Sequence, residues 1–226
     1  MNLGAGVINM PRHRRRELHA HLAHQLWCLE LPKENYVVMC ALMSGGEQLV
    51  HVTISGAPGS GTSTLVSKLG QKTGWSSLNG GDVFRAEASR RNLSVHEFSE
   101  LCKSNLDVDR SLDGLLKEAM TTQGGPEIME SRLSGWWAFE LGINCHRIWI
   151  HTSDEERARR IQTREGGDFE TRLGESRKRQ SADKARYETL YNIDLDDMTP
   201  YSLVVDADNL SAEEVFRIVS LEIEVE

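Results

Sequence analysis

The pattern of hydrophobic and polar positions along this 226-residue chain changes character near residue 43. Before that point, Leu18, Leu22, Leu26 and Leu29 fall at helical spacing within a basic, His-rich stretch, and Tyr36 to Met43 is a brief apolar run. From Gln48 onward, short apolar runs alternate with longer amphipathic segments. Leu49 to Ser55 predicts a buried strand, and Ser63 to Thr73 the helix that follows it. His146 to His151 and Tyr201 to Asp206 predict two further strands, and the shorter runs Trp75 to Asn79 and Glu127 to Met129 complete five. Ser94 with Glu97, Ser153 with Glu156 and Ser211 with Glu214 have the S-x-x-E spacing of a capping box. In that arrangement the serine and glutamate side chains each satisfy an amide otherwise orphaned at a helix start. The last helix is expected to bury Val215, Ile218, Val219 and Leu221 along one face. Strands alternating with helices predict an α/β fold, an open five-stranded parallel sheet with helices on both faces.

Composition narrows the setting. Hydrophobic residues at 39% and charged residues at 27% suit a soluble domain with its own core. A net charge of −8 argues against general affinity for nucleic acid, which requires clustered Lys and Arg. No apolar run approaches the roughly 20 residues that span a bilayer. The basic run Arg12 to Arg16 is not followed by the apolar stretch of a secretory signal, so a cytoplasmic monomer is expected. The four cysteines are scattered, without C-x-x-C spacing, and are read as reduced thiols. His19, His21 and His24 lack carboxylate or Cys partners and are read as solvated. Residues 1–42 are read as a poorly ordered extension, and 43–226 as the functional domain.

The sharpest chemical signal is Gly56-Ala57-Pro58-Gly59-Ser60-Gly61-Thr62-Ser63-Thr64, between the first strand and the first helix. Glycines there let backbone amides turn toward a phosphate, and the helix adds its positive N-terminal dipole. Ser63 occupies the hydroxyl position that ligates Mg²⁺ in G-x-x-x-x-G-K-[ST] loops, whereas Thr62 stands where the lysine belongs. A threonine cannot neutralise phosphate charge, so the loop alone leaves a Gly/Ser-rich turn open as an alternative.

Ten of the 26 Lys and Arg residues lie between Arg157 and Arg186, with only five acidic residues among them. An acidic protein that concentrates base in this way suits a polyanion at that place, and these arginines are expected to supply the charge that Thr62 lacks. Asp82 and Arg85 sit one turn apart after the second strand, and Glu130-Ser131-Arg132 follows the third. Ligands of open parallel sheets bind at the carboxyl ends of the strands, so all three segments are expected to converge on one crevice.

Gly56 to Thr64, G-D-V-F-R (81–85), E-S-R-L-S-G-W (130–136), R-x-x-x-D-x-x-R-Y (179–187) and Y-N-I-D-L-D-D (191–197) together resemble the archaeal-type cytidylate kinases, over essentially all of residues 43–226. The resemblance implies a P-loop nucleoside monophosphate kinase with a helical acceptor-binding insertion, roughly Gly81 to Thr121. It also implies a short mobile lid around Arg157 to Arg179. ATP and CMP or dCMP would be the substrates, with Mg²⁺ accompanying ATP. Arg85 would hold the acceptor phosphate, Arg132 would orient the monophosphate, Ser63 would ligate the metal, and Glu130 would hold water on it. Arg132, Arg157, Arg160 and Arg179 would stabilise the transferring group. Where bacterial relatives carry Asp after this Arg, the chain has Leu133, so any contact from that Asp is absent or moved. Trp136 and Trp137 have two readings, base stacking or core.

Arg179, Asp183 and Arg186, four and three residues apart, return to one side of a helix. With Asp82 and Arg85 they form the expected acceptor side, Asp183 accepting from the cytosine amine and Arg186 donating to the base. Another P-loop small-molecule kinase (adenylate or UMP/CMP kinase) and a low-turnover nucleotide-binding switch or assembly factor are the competing readings.

Overall fold

β1 (Val52–Gly56) lies at the centre of a five-stranded, wholly parallel sheet, order β2-β3-β1-β4-β5. A computed structural model describes residues 50–225, of which 50–120 and 126–225 lie in one compact unit. The expected boundary at residue 43, the leucine-spaced helix, the three histidines, Cys28 and Cys40 lie outside the described residues. The remaining strands are β2 (Ser77–Asn79), β3 (Ile128–Glu130), β4 (His146–His151) and β5 (Leu203–Asp206). Each of the five expected strands is present, with ends displaced by up to three residues.

Helices fill the crossovers: α1 (Thr62–Thr73), then α2 (Gly80–Arg90), α3 (Val95–Ser104) and α4 (Leu106–Thr121) between β2 and β3. α5 (Ser134–Glu140) leads to β4, α6 (Asp154–Glu165) and α7 (Phe169–Tyr191) lead to β5, and α8 (Ala212–Glu222) follows it. Alternation along the strands sends side chains to two cores. Val52 and Ile54 of β1 pack with Leu65, Leu69, Val215 and Val219 of α1 and α8. Met129 of β3 packs on the opposite face with Leu116 and Met120 of α4, Trp137 of α5 and Tyr187 of α7. The apolar stripe of α4 then continues into a third cluster, Val108 and Leu112 with Ala88, Phe98 and Cys102. This joins the α2–α4 insertion to the sheet. Trp137 is fully buried, with Tyr191 edge-on at 4.9 Å and the Lys117 ammonium 3.7 Å above its ring. Trp137 therefore belongs to the core, and Trp136, partly buried, packs at the edge of the same cluster.

Two of the expected capping boxes close in both directions, at Ser94 and Glu97 and at Ser211 and Glu214. The third is half formed: Ser153 accepts from the Glu156 amide, but the Glu156 carboxylate turns to Arg160 at 2.9 Å. Asp208 takes its place, accepting from the Ser153 N–H at 2.7 Å. A second correction concerns α8. Val215 and Val219 are buried and Ile218 packs beside them, but Leu221 is 74% exposed because the core face ends with Ser220 and Ile223. Among the described residues no helix is long and apolar enough to cross a membrane.

Candidate active site

The β1–α1 turn is held by two glycines that only glycine accommodates easily. Gly59 and Gly61 have φ of 89° and 96°, in the left-handed region, and Gly61 caps α1 without a side-chain hydrogen bond. The first amides of α1 therefore keep their donors for a ligand. α6 packs against the outside of this loop. A Cβ at Gly59 would lie 3.1 Å from Ile161 and 3.4 Å from Arg157.

The Ser63 hydroxyl donates to Glu130 at 2.9 Å, and Asn79 donates to the other Glu130 oxygen at 2.5 Å. Glu130 is buried, and among the described residues no cation lies within salt-bridge distance of it. Asn79 was missed by the sequence reading. The same side chain caps α2, accepting from the Gly81 and Asp82 amides, so an Asn before Gly-Gly at a strand end was the available signal. The carboxyl ends of β1, β2 and β3 thus bring Ser63, Asn79 and Glu130 together. Arg85 pairs with Asp82 at 2.6 Å, and both are exposed.

Arg132 is largely buried, donating to the Gly56 carbonyl at 2.8 Å, to Gln180 at 3.2 Å and to Asp183 at 2.7 Å. Asp183 also faces Arg186 at 3.4 Å, and Arg186 reaches Asp109 of α4 at 3.6 Å and the Tyr187 hydroxyl at 2.8 Å. This row runs from the insertion to the glycine loop. Burial pushes the Asp109 carboxyl above its ordinary range against the pull of Arg186, and raises the neighbouring Cys102 thiol to about 11. Burial likewise raises the Tyr187 hydroxyl to about 12. Asp109 and Gln180 belong to no motif, and only the folded arrangement reveals them. Arg179 is exposed, and among the described residues it has no ion-pair partner, so Asp183 and Arg186 come together without it.

Residues 157–179 span most of α6, a three-residue turn and the first half of α7. Arg157 is buried, pairs with Asp154 and donates to the Pro58 carbonyl at 3.5 Å. Arg160 donates to the Ser60 carbonyl at 3.0 Å, to Ala207 and to Glu156. Both guanidiniums therefore lie behind the loop, on its carbonyl side.

The fold and this loop define a P-loop kinase-type domain. Residues 55–178 match the family described as AAA domain. The chain belongs to the cytidylate kinase family. It is 37% identical over 176 residues to a cytidylate kinase of Archaeoglobus fulgidus, covering 78% of this chain and 96% of that one. The cytidylate kinase of Halobacterium salinarum is 40% identical, with coverage of 74% and 86%, and that of Methanocaldococcus jannaschii 34%, with 75% and 94%. Among solved structures, an uncharacterized protein from Eubacterium ventriosum superposes with a TM-score of 0.60 at 14% identity, over 78% of this chain and 99% of that one. A shikimate kinase from Bacteroides thetaiotaomicron gives 0.51 at 13%, over 77% and 98%. These two likenesses concern the fold alone.

Proposed function

We propose that the protein transfers the γ-phosphoryl group of ATP to the phosphate of CMP, and of dCMP, giving ADP and the diphosphate. The observation that carries this reading is the row Asp109–Arg186–Asp183–Arg132–Gly56, which joins an acceptor-side cluster to the phosphate loop. A nucleotide switch requires the loop but no second anion site beside it. Family membership supports the same acceptor.

Ser63 and Glu130 suit Mg²⁺, because a hydroxyl and a buried carboxylate without a cationic partner are hard oxygen donors with charge to spare. The cation, when bound with ATP, neutralises phosphate charge. Mg²⁺ sites of this kind use one or two protein oxygens plus the substrate's own, so no cluster of three acidic or His ligands is required. Asn79 keeps the Glu130 carboxylate turned toward Ser63.

The acceptor phosphate is already an anionic nucleophile, so no strong general base is required. One of its oxygens attacks the γ-phosphorus in line as the bond to the ADP oxygen breaks. The chain's task is alignment and charge compensation. The amides of Gly59 and Gly61 and the first amides of α1 hold the donor phosphates. Arg85, exposed at the start of the insertion, receives the acceptor phosphate, and Arg132 fixes its approach. Arg179, free on the α7 surface, is available to the transferring group. Asp183 and Arg186 read the base, the carboxylate accepting from the cytosine amine that uracil lacks. Steady-state ADP production with CMP, dCMP, UMP, AMP or no acceptor tests the proposal. Turnover with CMP well above the rest is expected; ATP binding without acceptor-dependent ADP release would favour the switch.

A further inference from the structure

Three arginines, one in the turn after β3 and two on α6, each donate to a carbonyl of the phosphate loop, and the carbonyls alternate. Arg132 holds Gly56, Arg157 holds Pro58 at the longest distance, and Arg160 holds Ser60. In a trans peptide the carbonyl of one residue and the amide of the next point in opposite directions. Drawing the Pro58 and Ser60 oxygens outward turns the Gly59 and Gly61 N–H groups to the inner side of the loop, whereas the pairing of Gly56 with Ile150 aims the Ala57 N–H at β4. Among the described residues neither of those two inner amides has an acceptor, whereas the intervening Ser60 amide is spent on Ala57. Each guanidinium is in turn backed by a carboxylate: Asp183, Asp154 and Glu156. For Arg157 and Arg160 the result is two aligned rows, carboxylate to guanidinium to peptide to inner N–H. Each row polarises its amide toward an incoming anion.

We propose that this arginine backing does the work of the absent loop lysine: Arg157 and Arg160 are positioning residues that orient and polarise the Gly59 and Gly61 amides for the donor nucleotide's β- and γ-phosphates, while Arg132 anchors the loop at Gly56. They do so without touching the phosphates. The inference rests on the loop being the donor-phosphate cradle. It accounts for Thr62, because an uncharged residue suffices where the neighbouring amides are strengthened from behind. It also explains why Arg157 is buried, a poor place for a guanidinium that must reach substrate but a good one for holding the Pro58 peptide.

The assignment predicts a one-to-one map between arginine and amide, which a purely structural role would not produce. The test is an ADP titration with Mg²⁺ and no acceptor, followed by ¹⁵N–¹H spectra of the parent, Arg160→Met and Arg160→Lys. In the parent, the Gly59 and Gly61 amide protons are expected to move downfield on binding. Arg160→Met is expected to weaken ADP binding about tenfold, with the Gly61 response lost and the Gly59 response kept. Arg160→Lys, which keeps one donor for Ser60, is expected to fall between the two, and it carries the test alone if the Met variant does not fold. A Gly61 response equal to the parent's, or an equal loss at both amides, overturns the assignment. Because no acceptor is present, failure of the CMP reading leaves this result untouched. A parent that does not bind ADP overturns both.

Discussion

Arg132, in the turn after β3, sets its Nη2 2.7 Å from Oδ2 of Asp183, midway along α7, with both side chains largely withdrawn from water. Removing one member of such a pair leaves the other without its counter-charge, which costs more than the pair contributes. Asp183 holds Arg132 against the loop, and in the proposed function it also presents a carboxylate to the base; substitutions should separate the two.

Asp183→Ala is expected to lower kcat/KM for CMP by tenfold or more and to destabilise the fold by about 1–3 kcal/mol. The CMP/UMP ratio should fall as well, because uracil no longer meets an unsuitable acceptor. The two acceptors measured side by side decide the matter. A ratio equal to the parent's assigns Asp183 to Arg132 alone.

Glu130→Gln keeps an acceptor for Ser63 and removes the charge. Turnover is expected to fall on the order of 100-fold, and the Mg²⁺ concentration for half-maximal rate to rise, with little change in melting temperature. A Mg²⁺ titration of the variant checks this. An unchanged metal requirement would place the cation elsewhere.

Glu87 accepts from Arg90 twice and from Arg91 once, each at 2.7 Å, which is an independent handle on stability. The hydrogen bond from Arg90 leads the causes that bring its carboxyl from 4.5 down to about 2. A carboxyl held low in the folded state stabilises it fully above the unfolded value. That stabilisation is lost as pH falls from about 4.5 toward 2. Glu87→Gln is expected to cost about 1–3 kcal/mol at neutral pH and to flatten stability over that acid window. Urea unfolding at a series of pH values measures both effects.

A chain beginning at Met43 is expected to fold and to keep the parent's turnover, since every residue assigned a role lies beyond it. Insolubility, or loss of most activity, would make the preceding segment part of the working domain.

Local signals carried most of what the sequence revealed. The five strands, the glycine loop and two capping boxes depend on short spacings that tertiary packing had no reason to override. The third box failed because Arg160, four residues from Glu156 on the same helix, competed for its carboxylate, a contest invisible without knowing that Asp208 stood ready. Leu221 looked like core by helical period but lies on the outer side of α8, off the buried line of Val215, Val219 and Ile223. At the site, Ser63, Glu130 and Arg132 were legible from strand-end positions. Asp109 and Gln180 sit on ordinary amphipathic helices, and only the approach of α4 and α7 gives them partners. The arginine-rich stretch was recognised as charge, but its direction was not: spacing shows how many guanidiniums are near, not which side of the loop they reach.

Trp137 lies where three segments distant in sequence meet, under the Lys117 ammonium of α4 and against the Tyr191 ring of α7. A charge so close to a buried indole shifts its electronic levels, and an edge-on ring makes its environment chiral. The joint between insertion and sheet therefore carries its own chromophore. The near-ultraviolet dichroism and emission that Trp137→Phe removes belong to that joint. They would register a displacement of α4 against α5 in the unlabelled protein, under the same conditions as turnover.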